Sequence, residues 1–273
     1  GTCNVILTRM TQNGWSYAQS LQEAQKLGFA EADPTMDVDG SDAAQKLAIL
    51  SHLAFGARIA WNEIPRQGID TLDVADLRYA KELGYRVKLL AVALLSSTGL
   101  ELHVSPTLVK LGSPLADVRG AYNAISVVGD AVGRVFFSGL GAGQMPTASA
   151  VVADLIDTVV GRSEITFRTL ELWSKQSARV PASDYGSVSG RYYLRFNVAD
   201  RPSVLAEIAG ALGKENISIA SVIQHEAEEG SRGVVPLVIM THNTTEGALG
   251  RAIDAIDQLA FMRGRSVRMR VRD

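Results

Sequence analysis

The chain of 273 residues holds a single cysteine, Cys3, so it can form no internal disulfide; a reducing cytoplasm is its natural home. No apolar run approaches the roughly 20 residues that a membrane-spanning helix needs, and no membrane partner is expected. An excess of one charge is missing too: 27 Lys and Arg face 29 Asp and Glu, a formal net charge of −2. That balance offers no electrostatic attraction to nucleic acid or anionic lipid. His52, His103, His225 and His242 are scattered without H-x-x-x-H or E-x-x-H spacing, so no metal site is expected. A strand–GxGxxG–helix unit with an acid about 20 residues on is absent, which removes the usual dinucleotide-binding fingerprint. The sequence has neither an initiator Met nor a charged-then-apolar signal layout. Its opening, GTCNVILTRM, reads as the interior of an element, and the expectation is a fragment or processed form of a longer protein.

What is present is the composition of a soluble globular protein, 47% apolar and 21% charged, long enough for about two domains. The Ser-rich stretch SKQSARVPASDYGSVS, residues 174–189, lacks helical or strand periodicity and divides the chain. Before it, residues 1–173 alternate helices and strands. Helices are expected over 15–28, closed by Gly28, over 42–55, and over 73–84, closed by Gly84. RVKLLAVALLSST is too uniformly apolar for a one-sided surface strand. ELHVSPTLV and the pair AISVVG/GRVFFSG around Gly129-Asp130 read as antiparallel strands. A last helix, about 147–161, follows a glycine turn. Trp15, Trp61 and Trp173 are expected as core or interface anchors. After the divide, residues 190–273 read strand, helix, two strands, helix, strand, the ferredoxin-like βαββαβ order. Its two helices cover one sheet face, so the other face or an edge is expected to be solvated or paired with another subunit. The fold class is α+β.

The segment EADPTMDVDGSDAAQK, residues 31–46, packs Glu31, Asp33, Asp37, Asp39 and Asp42 ahead of Lys46. A calcium loop with Gly40 at its sixth position would need a bidentate Glu where Lys46 stands, and the cation rules it out. A solvated turn with Ser41 or Asp42 capping the next helix explains Asp42 in part. It leaves Lys46 unexplained, because its neighbours at i+3, i+4 and i+7 are Ile49, Leu50 and Leu53. A lysine on that apolar side is expected to be paired with Asp42, one turn back. Such a pair fits a structural buried ion pair. It also fits a lysine tuned for acid/base work inside a cluster of acids that holds a small zwitterion. A second constellation, GLGAGQMPTAS at 139–149, is a glycine turn feeding a helix N-terminus. On its own it equally fits a turn that allows tight packing.

Taken together, GFAEADPTMDVDGSDAAQKLAIL, then GLGAGQMPTASAVVADL about 90 residues later, and the opening GTCNVILTRM resemble the catalytic domain of homoserine dehydrogenase over roughly residues 1–165. The resemblance implies that Glu31 and Asp42 hold the homoserine amino group beside Asp37. It implies that Lys46 exchanges a proton with the alcohol or aldehyde oxygen, and that Thr2 and Asn4 lie near the same site. Gly141 and Gly143 would approach the nicotinamide end of NADP or NAD. The implied reaction interconverts aspartate 4-semialdehyde and L-homoserine, in threonine, methionine and isoleucine biosynthesis. The family's Rossmann domain precedes the catalytic domain and supplies a further lysine; both are missing from this sequence, so cofactor binding by this chain alone is expected to be poor and the chain alone inactive. VADRPSVLAEIAGALGKENISIASVIQ resembles an ACT domain, notably at Asp200, Pro202, Leu205, Ile217, Ser218, Ile219 and Gln224. Ser203 stands where ACT domains usually carry glycine after the proline, a departure that bears on effector binding and leaves the fold intact. The implied effector is an amino acid, L-threonine first, and a module serving only assembly is the alternative. A homo-oligomer is expected. The rival to the enzyme is a non-catalytic protein that binds and senses an amino acid through the ACT domain.

Overall fold

The structure is a computed structural model and describes residues 1–169, 180–225 and 233–273. Trp173, residues 174–179 of the expected linker and residues 226–228 of an expected strand lie outside these. Helix α1 (Thr2–Asn13) puts Cys3, Ile6, Leu7 and Met10 on one buried stripe and ends at Gly14 in the left-handed region. A capping box between Ser16 and Gln19 starts α2 (Tyr17–Lys26). Then come the short α3 (Thr35–Val38), α4 (Ser41–Phe55) and α5 (Val74–Glu82), the last opened by a capping box of Asp73 and Asp76. Strands β1 (Tyr85–Ser96) and β2 (Gly99–Lys110) form a long antiparallel pair. After α6 (Pro114–Asp117), β3 (Tyr122–Gly129) and β4 (Gly133–Leu140) make a separate hairpin in which Gly129 faces Gly133. Helices α7 (Gln144–Val159) and α8 (Arg162–Thr169) follow, α7 starting three residues before the expected 147.

The second half runs β5 (Ser189–Ala199), α9 (Val204–Lys214), β6 (Ile219–Gln224), β7 (Val234–Thr241), the two-residue β8 (Thr244–Thr245), α10 (Glu246–Asp257) and β9 (Val267–Arg272). The expected βαββαβ order is present, with β8 as an added short strand on β5.

The two halves share one sheet, in the order β1-β2-β9-β5-β7-β6, because β2 pairs in parallel with β9 through Thr107–Val109 and Arg270–Arg272. Alternation along β5 divides the core. Tyr192, Leu194, Phe196 and Val198 face α9 and α10, and Tyr193 joins α1, α2 and α5 on the opposite face. Of the expected solvated or subunit-paired face or edge, the face is corrected: helices from the first half of the same chain cover it, packing Leu77 and Met10 into a core with Val238, Met240 and Met269, while β6 is left as an edge. The described end of the expected linker is pinned as well, since Leu100 accepts the Ser183 N–H and donates to the Pro181 carbonyl. Hairpin β3–β4 and α7 contain no fully buried residue. Trp61, expected as an anchor, is exposed beneath the Arg66 guanidinium, 5.1 Å from the ring centre.

Candidate active site

Five carboxylates divide into two kinds once their partners are known. Asp33 accepts the Thr35 N–H and hydroxyl at 3.1 and 2.6 Å, and Asp39 accepts the Ser41 N–H and hydroxyl at 2.7 and 2.8 Å. Both acids are spent on local turns that shape α3 and the start of α4. This corrects the expectation that Ser41 or Asp42 caps α4: Asp39 satisfies the Ser41 N–H across Gly40, whose φ of 88° only glycine adopts without strain. Glu31, Asp37 and Asp42 are left for other work.

Asp37 and Asp42 lie by the start of α1, and Glu31 lies near Asp37. The Thr2 hydroxyl lies between the Phe29 carbonyl, 2.7 Å away, and the Asp37 carboxyl, and can donate to one at a time. The Cys3 Sγ donates to the Asp37 carbonyl at 2.9 Å; burial pushes this thiol up to about 12, so it stays protonated. Burial, then the nearby Asp42 carboxylate, and more weakly Glu31, push the Asp37 carboxyl above its ordinary range, against the Thr2 hydroxyl.

Lys46 Nζ meets Asp42 Oδ2 at 2.5 Å, the expected i,i+4 pair. Its setting differs from the expectation. The Lys46 side chain is 67% exposed and Asp42 41%, and Ile49, Leu50 and Leu53 beside it are exposed too. The face of α4 that this chain buries is Ala44, Leu47 and Ser51. The buried ion pair is therefore corrected to a surface pair on an uncovered apolar stripe. The i,i+3/i+4 spacing identifies what is apolar without showing what covers it.

The glycine turn borders the same place. A Cβ at Gly141 would overlap the Asn123 Nδ2, and one at Gly1 would lie 3.7 Å from the same atom. Asn123 thus sits between the start of α1 and the turn, so the acid–lysine cluster and residues 139–143 are neighbours. Gly143, at φ 122°, opens α7 in a conformation closed to other residues. At Gly143 only the Pro146 ring lies within 4 Å of where a side chain would stand, so bare backbone there suits the close approach of a flat ring such as the nicotinamide end of a cofactor, while at Gly141 the Asn123 amide fills that place.

The homoserine dehydrogenase family profile matches residues 1–156, and the ACT profile residues 192–261. The chain belongs to the homoserine dehydrogenase family. It is 43% identical to the homoserine dehydrogenase of Pseudomonas aeruginosa over 99% of its length and 42% identical to that of Neisseria gonorrhoeae over 95%. It spans 63% and 60% of those two proteins, less than two thirds of either. The crystal structure of a Thiobacillus denitrificans homoserine dehydrogenase superposes with a TM-score of 0.86 at 41% identity, covering all of this chain and 62% of that one. A Staphylococcus aureus homoserine dehydrogenase gives 0.72 at 28% identity, covering all of this chain and 63% of that one.

Against this family background, three residues at the site escaped the sequence reading. Phe29 contributes only a carbonyl and left no signal. Asn123 sits in a strand of otherwise apolar alternation, which was the available sign. Lys88, in the apolar run RVKLLAVALL, is 6% exposed, and a charge in such a run is itself a marker. The ACT half carries a cavity of about 440 Å³ between the end of β5 and α9, lined by Asp200, Arg201, Ser203, Leu205 and Gln224 among others. Ser203 adopts φ 76°, the left-handed conformation that a glycine would take there without strain.

Proposed function

We propose that the protein carrying this chain is an NAD(P)-dependent oxidoreductase interconverting L-homoserine and aspartate 4-semialdehyde. The observation that supports this best is the division of labour among the acids: with Asp33 and Asp39 committed to turns, Glu31, Asp37 and Asp42 remain, Asp37 near both other acids and Asp42 paired with the cation Lys46. Three carboxylates against one ammonium leave a net negative patch that favours a second ammonium, the α-amino group of the substrate. Asp42 spends Oδ2 on Lys46, which leaves Oδ1 for that group beside Glu31 and Asp37.

The nicotinamide cofactor, when bound, supplies the hydride acceptor, and Gly141 and Gly143 are the residues of this chain that would face its ring. In the reductive direction the Lys46 ammonium gives its proton to the aldehyde oxygen as hydride reaches C4. In the oxidative direction Lys46 first releases a proton to solvent, and the neutral amine then takes the hydroxyl proton of homoserine as the C4–H bond breaks. Asp42 holds the lysine in place, and the acid cluster fixes the amino end so that C4 lies over the glycine turn. NAD versus NADP is left open by these residues.

The assignment divides the chain into a catalytic unit at 1–173, a linker at 174–189 and an ACT unit at 190–273. The cavity beside Ser203 supports an amino-acid effector such as L-threonine at the ACT unit. The uncovered apolar residues of α7 and β3–β4, among them Val151, Leu155, Ile125 and Phe137, support a homo-oligomer. No helix among the described residues is long and apolar enough to cross a membrane, which agrees with a cytoplasmic site of action. Aspartate 4-semialdehyde-dependent oxidation of NADH or NADPH by the protein that carries this chain tests the reaction; no turnover with either cofactor overturns it. A melting temperature unmoved by L-threonine would count against the effector.

A further inference from the structure

Lys88 is the one buried lysine among the described residues. It projects from β1, and its Nζ donates to the Asn4 Oδ1 at 2.7 Å and to the Val118 carbonyl. A cation on the Asn4 oxygen fixes which way the amide points. Its Nδ2 must then face the opposite side, where it donates to the carbonyls of Gly120 and Tyr122 at 3.0 and 3.1 Å. One helical turn on, the Thr8 hydroxyl accepts the Gly120 N–H at 3.1 Å. One face of α1 is thereby clamped to residues 118–122, the segment that enters β3.

Both ends of this clamp reach the site. The first turn of α1 carries Thr2, which faces Asp37. Strand β3 continues into Asn123, which lies against Gly141 and is paired with Gly139 in the β3–β4 register. We propose that Lys88 is a positioning residue that sets, through Asn4, the separation between the substrate-holding acids and the glycine turn. Burying an ammonium is costly. Desolvation, followed by Arg86 and Arg119, lowers the Lys88 pKa to about 8, against the pull of Asp117. A site that tolerates this cost for two acceptors uses the lysine for order. The inference rests on the proposed dehydrogenase reaction.

The test uses Lys88→Met, Asn4→Ala and the double variant in the protein that carries this chain. Shifting the turn relative to the acids separates the reacting carbon from the ring without touching the amino-end contacts. In each single variant kcat is therefore expected to fall about 10- to 100-fold, with the homoserine KM within about twofold. Lys88 acts through Asn4, so the double variant should be no slower than the slower single one. Hydrogen exchange at residues 118–123 should rise in Lys88→Met, a readout independent of turnover. If Lys88→Met fails to fold, Lys88→Gln, which keeps an N–H donor group without the charge, should show the same pattern with a smaller loss. Additive losses, an unchanged kcat, or unchanged exchange at 118–123 each overturn the role. Absence of turnover in the parent protein overturns the proposed function instead, and the exchange measurement still decides the clamp.

Discussion

Arg195 of β5 closes on Asp76 of α5 across the boundary between the two halves, with Nε 2.6 Å from Oδ1 and Nη2 2.9 Å from Oδ2. The Tyr193 hydroxyl and the Asp73 N–H complete the carboxylate's shell at 3.0 and 2.9 Å, and Asp76 is fully buried. Asp76 thus caps its own helix and ties that helix to the ACT sheet. Asp76→Leu would leave a buried guanidinium without its counter-charge, at an expected cost of about 3–5 kcal/mol. Asp76→Leu combined with Arg195→Met should cost less than Asp76→Leu alone, because no orphaned charge remains. Urea denaturation checks both; a double variant less stable than Asp76→Leu would contradict the finding.

Asp37 should trade stability for binding. Burial and Asp42 raise its pKa above the ordinary carboxylate value of 3.8, so the folded chain holds this proton to higher pH than the unfolded chain. The stabilising contribution is present below the unfolded value and is lost as pH rises through the folded one. At pH 7 the ionised group is therefore a net cost. Asp37→Asn should melt at the same or a higher temperature at pH 7, yet bind homoserine at least about tenfold more weakly. Homoserine affinity in the parent should fall as pH drops through the raised Asp37 value, since the ammonium prefers the carboxylate. Calorimetric titration over pH 4–7 measures this; a flat profile together with unweakened binding by Asp37→Asn would contradict it.

His103 should report acid unfolding of the shared sheet. Desolvation, then Arg270 and Arg272, push the imidazole down to about 3. Glu101 lies 3.6 Å away but does not restore it, because Arg270 draws on the same carboxylate oxygen at 3.8 Å. The neutral ring contributes stability that is complete above the ordinary histidine value of 6.5 and drains away as pH falls towards 3. The slope is at most about 1.4 kcal/mol per pH unit for one proton. His103→Gln should flatten the stability–pH curve between pH 6.5 and 4, as read by urea midpoints. An unchanged slope would contradict it.

Much of the fold was legible because its signals are local. The glycines that close helices at Gly28 and Gly84, both left-handed, and the hairpin turn at Gly129-Asp130 all act within a few residues. The parallel pairing of β2 with β9 was not legible, since about 160 residues separate Val109 from Arg272 and nothing near either strand encodes the contact. At the site, Glu31, Asp37, Asp42, Lys46 and Thr2 came from the family resemblance; the structure sets Asp37 near Thr2, Asp42 and Glu31, and Lys46 on Asp42. Lys46 is exposed because the apolar stripe of Ile49, Leu50 and Leu53 finds no cover among the described residues. Asn4 was placed by its motif, whereas its partner Lys88 lies 84 residues away and only its odd position in an apolar run pointed to it.

The proposed reaction turns on Lys46 moving the substrate proton. Single-turnover and steady-state rates of homoserine oxidation, measured for the parent protein and for Lys46→Ala alongside the homoserine Kd, test this directly. The expected result is a kcat lowered about 10²- to 10⁴-fold with Kd changed by less than about tenfold. A Lys46→Ala protein that keeps the parent rate would contradict it.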